Sequence, residues 1–84
     1  MDDKAQQMID YILKEVVRRH GTQMNEDTSL VSSGMIDSLA LVDILVKLQD
    51  VTGRRIPAAK VQAKDMDTVR LMIQTAERIG KPRA

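Results

Sequence analysis

Ser38-Leu39-Ala40-Leu41-Val42-Asp43-Ile44-Leu45-Val46-Lys47-Leu48-Gln49-Asp50-Val51-Thr52-Gly53 is the stretch on which the fold turns. At about 100° per residue, Leu41, Ile44, Leu45 and Leu48 gather on one side of a helix, with Val51 at the edge. That is the core stripe of a half-buried helix. Asp37 or Ser38 can cap its start, and Gly53 can end it. Leu39, Val42 and Val46 gather on the opposite side, among Asp43, Gln49 and Asp50. A helix in a small bundle needs one buried stripe. The second stripe is either the other face of a fully buried central helix or an exposed surface that docks on a partner. A chain of 84 residues has little with which to cover both faces, so the docking reading is preferred.

Upstream, Ala5, Met8, Ile9, Ile12, Leu13 and Val16 recur at helical spacing and predict a helix over Asp2–Arg19. Asp2 or Asp3 can cap it. Arg18, Arg19 and His20 suit its negative end, and Gly21 is a natural stop. Gly21 to Asp37 has no sustained period and is long for a connection within a compact domain. Leu30, Val31, Met35 and Ile36 can pin it to the core, so an ordered loop is expected. Downstream, Arg54 to Pro57 form a turn. Ala58 to Lys64 can make one or two helical turns entered through Pro57. Val69, Met72, Ile73, Ala76 and Ile79 predict a last helix from Thr68 to Ile79, with Asp67 as its cap. The fold class expected is all-α: a small antiparallel bundle of three to four helices, with a long loop between the first and second and one overhand connection. Residues 1–79 make one domain and residues 80–84 a flexible tail.

Composition narrows the function. No cysteine is present and His20 is the only histidine, so a thiolate zinc site, a cysteine nucleophile and a multi-histidine metal centre are excluded; no metal site is expected. The formal net charge of +1 gives no global reason to bind nucleic acid or an anionic membrane. Tyr11 is the sole aromatic residue, which argues against base-stacking modules and strand-rich folds. The chain opens Met1-Asp2-Asp3-Lys4 without an apolar run, and no stretch is long enough to span a bilayer. A cytoplasmic, monomeric protein is the expectation.

A serine opening a helix has an immediate structural role, since its hydroxyl can cap free amides, and on spacing alone that is the default for Ser38. A helix N-terminus is also where a phosphate group is well tolerated. Ser38 follows a long loop and precedes an outward apolar stripe, a setting suited to covalent modification by a phosphate-linked group.

Asp37-Ser38-Leu39 resembles the attachment motif of acyl and peptidyl carrier proteins. The wider pattern agrees: Asp27-Thr28-Ser29-Leu30 before the motif, Ile56-Pro57 after the second helix, and Asp67-Thr68-Val69 opening the last. The resemblance runs from about Ala5 to Ile79. It implies a carrier that catalyses nothing itself, with 4′-phosphopantetheine attached to Ser38 through a phosphodiester and cargo held as a thioester on the terminal thiol. Asp37 is implied to assist the modifying transferase near its Mg²⁺. Leu39, Val42 and Val46 match partner-docking positions. The implied partners are a phosphopantetheinyl transferase, an acyl- or aminoacyl-activating ligase, and downstream transferases or synthases.

Two departures from the family pattern bear on the cargo. Carriers of bacterial fatty-acid synthesis are strongly acidic along the second helix, whereas here Asp43 and Asp50 against Lys47 leave a net charge of −1. Gly34 and Asp37 are separated by two residues, where fatty-acid carriers commonly have one. The low charge would gain little steering from a basic fatty-acid synthase surface, and the longer spacing, with Ser33-Gly34 before it, looks more like D-alanyl and other aminoacyl carriers; together they imply aminoacyl or secondary metabolism. The alternative is a non-catalytic helical adaptor in which Ser38 is only a cap. A hydrolase is disfavoured because the Ser38 context is not a Gly-x-Ser-x-Gly elbow. A helix-turn-helix reader is disfavoured because Lys60, Lys64, Arg70 and Arg78 are interspersed with Asp65 and Asp67.

Overall fold

A computed structural model describes residues 3–17 and 24–82, giving the backbone alone at Val17 and Ser38. The expected roles of Asp2, Arg18, Arg19, His20 and Gly21 lie outside the described residues, as do residues 83–84.

Three helices form the body: α1 over Asp3–Tyr11, α2 over Ser38–Thr52 and α3 over Val69–Ile79. They pack against one another in all three pairings. The all-α bundle expected from the sequence is the architecture found. Beyond Tyr11 the first helix continues as π-helical turns over Ile12–Val17.

The periodic apolar residues converge on one core. Ala5, Met8, Ile9 and Ile12 meet Ile44 and Leu48 of α2 and Val69, Met72, Ile73 and Ala76 of α3. Leu30, Ile36, Ile56 and Met66 complete it from the connections. Leu13 and Val16, expected in the core stripe, are half-buried at its margin. The core contains no aromatic ring; Met8, Met66 and Met72, each at most 1% exposed, fill space that rings would otherwise take. Tyr11 lies half-buried beside it, with the Lys47 ammonium 5.6 Å from the ring centroid, so the sole aromatic bridges α1 and α2.

α2 begins and ends where its sequence predicts. Gly53 adopts φ 67° and donates its N–H to Gln49 O at 2.9 Å, closing the helix in a conformation that glycine takes without strain. The stretch Ala58 to Lys64, expected to make helical turns, forms two separate 3₁₀ turns, Ala58–Lys60 and Ala63–Met66. Val61 and Gln62 are extended between them and prevent a continuous helix. Pro57 does precede the first turn. The second carries a reciprocal cap, with Gln62 N–H donating to Asp65 Oδ2 at 2.9 Å.

Two short strands complete the fold. β1 (Arg54–Arg55) pairs antiparallel with β2 (Lys81–Pro82), Arg54 opposite Pro82 and Arg55 opposite Lys81. A flexible tail is the sequence expectation from Gly80 onward; the backbone of Lys81 and Pro82 instead lies against the turn that follows α2. Arg54 Nη1 also donates to Gly80 O at 3.2 Å. A two-residue pairing has no periodicity from which it could be read.

Candidate functional site at the start of the second helix

The loop before α2 is built from its own turns and from two side chains of the α3 region. Asn25 and Thr28 close the first turn: Thr28 N–H donates to Asn25 O at 3.3 Å, and Asn25 N–H to Thr28 Oγ1 at 2.9 Å. Val31 O accepts Gly34 N–H at 3.1 Å in a second turn that places Gly34 at φ 81°. Leu30 O accepts Ile36 N–H at 3.1 Å, and both side chains are buried. The chain therefore reaches Asp37 from an anchored residue.

Asp37 caps α2. Its backbone is extended, and its carboxylate accepts the Ala40 N–H at 2.9 Å. Ser38 is the first helical residue. The sequence left the cap between these two; Asp37 occupies it. Every helix start leaves backbone amides without intrahelical partners. Ser38 thus stands at the positive end of a 15-residue helix, a setting that suits a phosphodiester. The residues present fit the group that the sequence implies.

The two faces of α2 separate as its spacing predicts. Ile44 and Leu48 are fully buried, while Leu41, Leu45 and Val51 are half-buried at the core margin. Leu39 is 82% exposed, Val42 63% and Val46 53%, so the helix is not buried on both sides. Beside this stripe, Leu41, Val42 and Leu45 face Ala58, Val61 and Met66 across an apolar cleft of about 150 Å³.

Asp67 departs from its expected role. The cap of α3 is Thr68, whose Oγ1 accepts Leu71 N–H at 3.1 Å. Asp67 turns instead to the long loop. Its Oδ1 accepts the N–H groups of Leu30 at 3.2 Å, Val31 at 2.9 Å and Ser32 at 3.0 Å. The hydroxyls of Ser29 and Ser32 add to both carboxylate oxygens. Donation from Ser32 leads the causes that hold this carboxyl below the ordinary carboxylate range, against a smaller opposing effect of burial.

One turn further, Arg70 reaches the start of the same loop. Its Nε and Nη2 grip Asp27 at 2.6 and 3.1 Å, and Nη2 also donates to Glu26 Oε1 at 2.8 Å. Its backbone N–H donates to Glu26 O at 2.9 Å. The Arg70 hydrogen bond holds Asp27 below the usual range, and Asp27 in turn raises Arg70. The sequence offered Asp27 and Ser29 as family signals, Leu30 also as a core anchor and Asp67 also as a helix cap, but not the contacts of Asp67 with Ser29 and Leu30 or of Arg70 with Asp27. One signal was available: Asp67 and Thr68 are adjacent cap-type residues, and a helix start uses only one.

Among the described residues, no group of three or more His, Cys, Asp and Glu could hold a metal ion, and no helix is long and apolar enough to cross a membrane.

With this geometry in place, comparison with known proteins is specific on one point. Residues 9–75 match the family model described as the phosphopantetheine attachment site. That span covers most of the chain, and the protein belongs to this family. It is a carrier domain whose cofactor is covalently attached 4′-phosphopantetheine, the group on which the family holds acyl cargo. Searches of curated proteins and of solved structures return no match.

Proposed function

We propose that this protein is a specialised aminoacyl or secondary-metabolic carrier, with Ser38 as the residue that bears the arm. The observation that carries the assignment is the Asp37 cap. Because the Asp37 carboxylate already takes the Ala40 amide, capping does not account for the serine at position 38. This supports the carrier reading over an adaptor in which Ser38 is only a cap. When attached, the arm supplies a thiol on which acyl cargo is held as a thioester. The chain's own residues do the rest. The first turn of α2 offers the phosphodiester a positive helix end. Asp37, exposed beside Ser38, would assist a transferase and its Mg²⁺. Leu39, Val42 and Val46 offer partner enzymes an apolar docking stripe that begins one residue from the attachment point. The protein itself performs no chemistry and works by delivery, raising the effective concentration of its cargo at each partner's active site.

Support for the specialised subtype comes from charge and spacing. The docking helix bears only Asp43, Lys47 and Asp50, and Lys47 lies over Tyr11. A basic synthase surface would gain little steering from it. The two residues between Gly34 and Asp37 are both used: Met35 packs half-buried against the core and Ile36 enters it.

The test is intact mass after co-expression with a broad-specificity phosphopantetheinyl transferase. The expected result is one phosphopantetheinyl adduct, absent in Ser38→Ala. An unmodified wild-type chain overturns the assignment. Loading of the modified protein by amino-acid-activating ligases, compared with fatty-acyl ligases, tests the subtype; preference for fatty-acyl ligases refutes it.

A further inference from the structure

We propose that Asp67 is a positioning residue for Ser38, acting through the loop backbone to fix the entry of α2 as a transferase must meet it.

The inference is that the Asp67 carboxylate sets the conformation of residues 29–32, and through them the approach of the chain to Ser38. It rests on the reading of Ser38 as the attachment residue.

The connection can be followed bond by bond. Three consecutive amides, those of Leu30, Val31 and Ser32, converge on Asp67 Oδ1 at 3.2, 2.9 and 3.0 Å. Successive N–H groups turned towards one anion form a concave nest, a backbone arrangement that dissolves when the anion is removed. Leu30 N–H is also held by Asp67 O at 2.7 Å. On its far side, Leu30 O accepts Ile36 N–H at 3.1 Å, and Val31 O accepts Gly34 N–H at 3.1 Å. Ile36 is followed by Asp37, whose carboxylate caps α2. The α3 entry thus fixes 30–32, these fix Gly34 and Ile36, and these deliver Asp37 and Ser38. The described side-chain contacts of Asp67 are with residues 29–32, so the action proposed for it is on positioning.

Removing the carboxylate leaves the core and both helices in place but frees the approach to Ser38. The transferase then meets a site only part of the time in the competent arrangement, and KM rises in proportion to the lost fraction. The test measures transferase kinetics on Asp67→Asn, with Thr68→Ala as control and the folded fraction of each determined by circular dichroism. Thr68→Ala removes the neighbouring helix cap without touching the loop. Asp67→Asn should raise KM about tenfold with kcat nearly unchanged, since a carboxylate accepting several donors is being replaced by an amide. Thr68→Ala should leave KM near wild type while it stays folded. Amide hydrogen exchange at residues 30–32 should accelerate in Asp67→Asn and not in Thr68→Ala. If Asp67→Asn does not fold, the Ser29→Ala/Ser32→Ala double variant keeps the carboxylate and amides and should give a smaller rise in KM. An unchanged KM in a folded Asp67→Asn, or an unchanged KM in the double variant where that is the one used, overturns the positioning role. So does an equal rise in Thr68→Ala. A wild-type chain that takes no phosphopantetheinyl group overturns the attachment reading as well.

Discussion

Replacing Val42 by aspartate separates a docking face from a core face. Val42 is 63% exposed, so roughly a third of its transfer free energy is at stake, about 0.5–1 kcal/mol. Valine and aspartate differ little in helix propensity. The net destabilisation should stay below about 1 kcal/mol, a fall in Tm of no more than about 4–8 °C for a domain of this size. Leu48→Ala is the matched change on the other face. Leu48 is fully buried, and its truncation should destabilise by about 3 kcal/mol, or about 12–24 °C. Thermal melts followed by circular dichroism give both numbers. Transferase kinetics on the folded variants give the second readout: Val42→Asp should lower kcat/KM by about tenfold, because a charge enters an apolar contact. If Val42→Asp melts as early as Leu48→Ala, the stripe is core. If it stays folded and is modified at the wild-type rate, the stripe is not a docking surface for the transferase.

Three further outcomes are expected. Asp37→Ala should destabilise by about 1 kcal/mol in denaturant titration through loss of the helix cap, whereas Ser38→Ala should abolish modification with much less effect on stability. The Asp67 carboxyl is held below its unfolded-state value, so its contribution is present above the ordinary carboxylate range and is lost as pH falls through the lowered value; melts should show wild type losing stability below about pH 4 more steeply than Asp67→Asn. Gly80→Ala places a Cβ against Ala76 O and Arg54 Cβ, and should lower Tm and speed amide exchange at Arg55.

Periodicity carried the helices because burial at three- and four-residue spacing is written directly into the side chains. α2 is the clearest case: its bounds, its buried Ile44 and Leu48, and its exposed Leu39, Val42 and Val46 were all legible. Three features were not. Thr68 rather than Asp67 caps α3, because two adjacent oxygen-bearing residues satisfy the same local pattern and only tertiary contact distinguishes them. The 58–66 segment breaks into 3₁₀ turns, because short runs lack the length for a helical period to declare itself. The pairing of Arg54–Arg55 with Lys81–Pro82 joins residues distant in sequence and leaves no local trace. At the candidate site, the helix start at Asp37-Ser38 was legible from the order of residues, though not which of the two caps it. The clamp from Asp67 and Arg70 to residues 26–32 was not, since it depends on α3 folding back beside the loop.

On the proposed reading of Ser38 and of the Leu39, Val42 and Val46 stripe, the strength of docking and the accuracy of presentation are separable. Burying what Leu39, Val42 and Val46 leave exposed would contribute about 3–6 kcal/mol. Association costs about 4–15 kcal/mol in lost freedom before any contact is counted. The stripe alone therefore cannot hold a partner for long, and a helix of net charge −1 adds little long-range attraction. Weak docking suits handover, because each partner must release the carrier after one exchange. It also shortens every encounter, so the attachment residue must arrive already placed. A free loop would spend the encounter searching. A loop fixed at both ends from the entry of α3 does not, which is why, on this reading, the carboxylate of Asp67 and the guanidinium of Arg70 matter to the serine that opens α2.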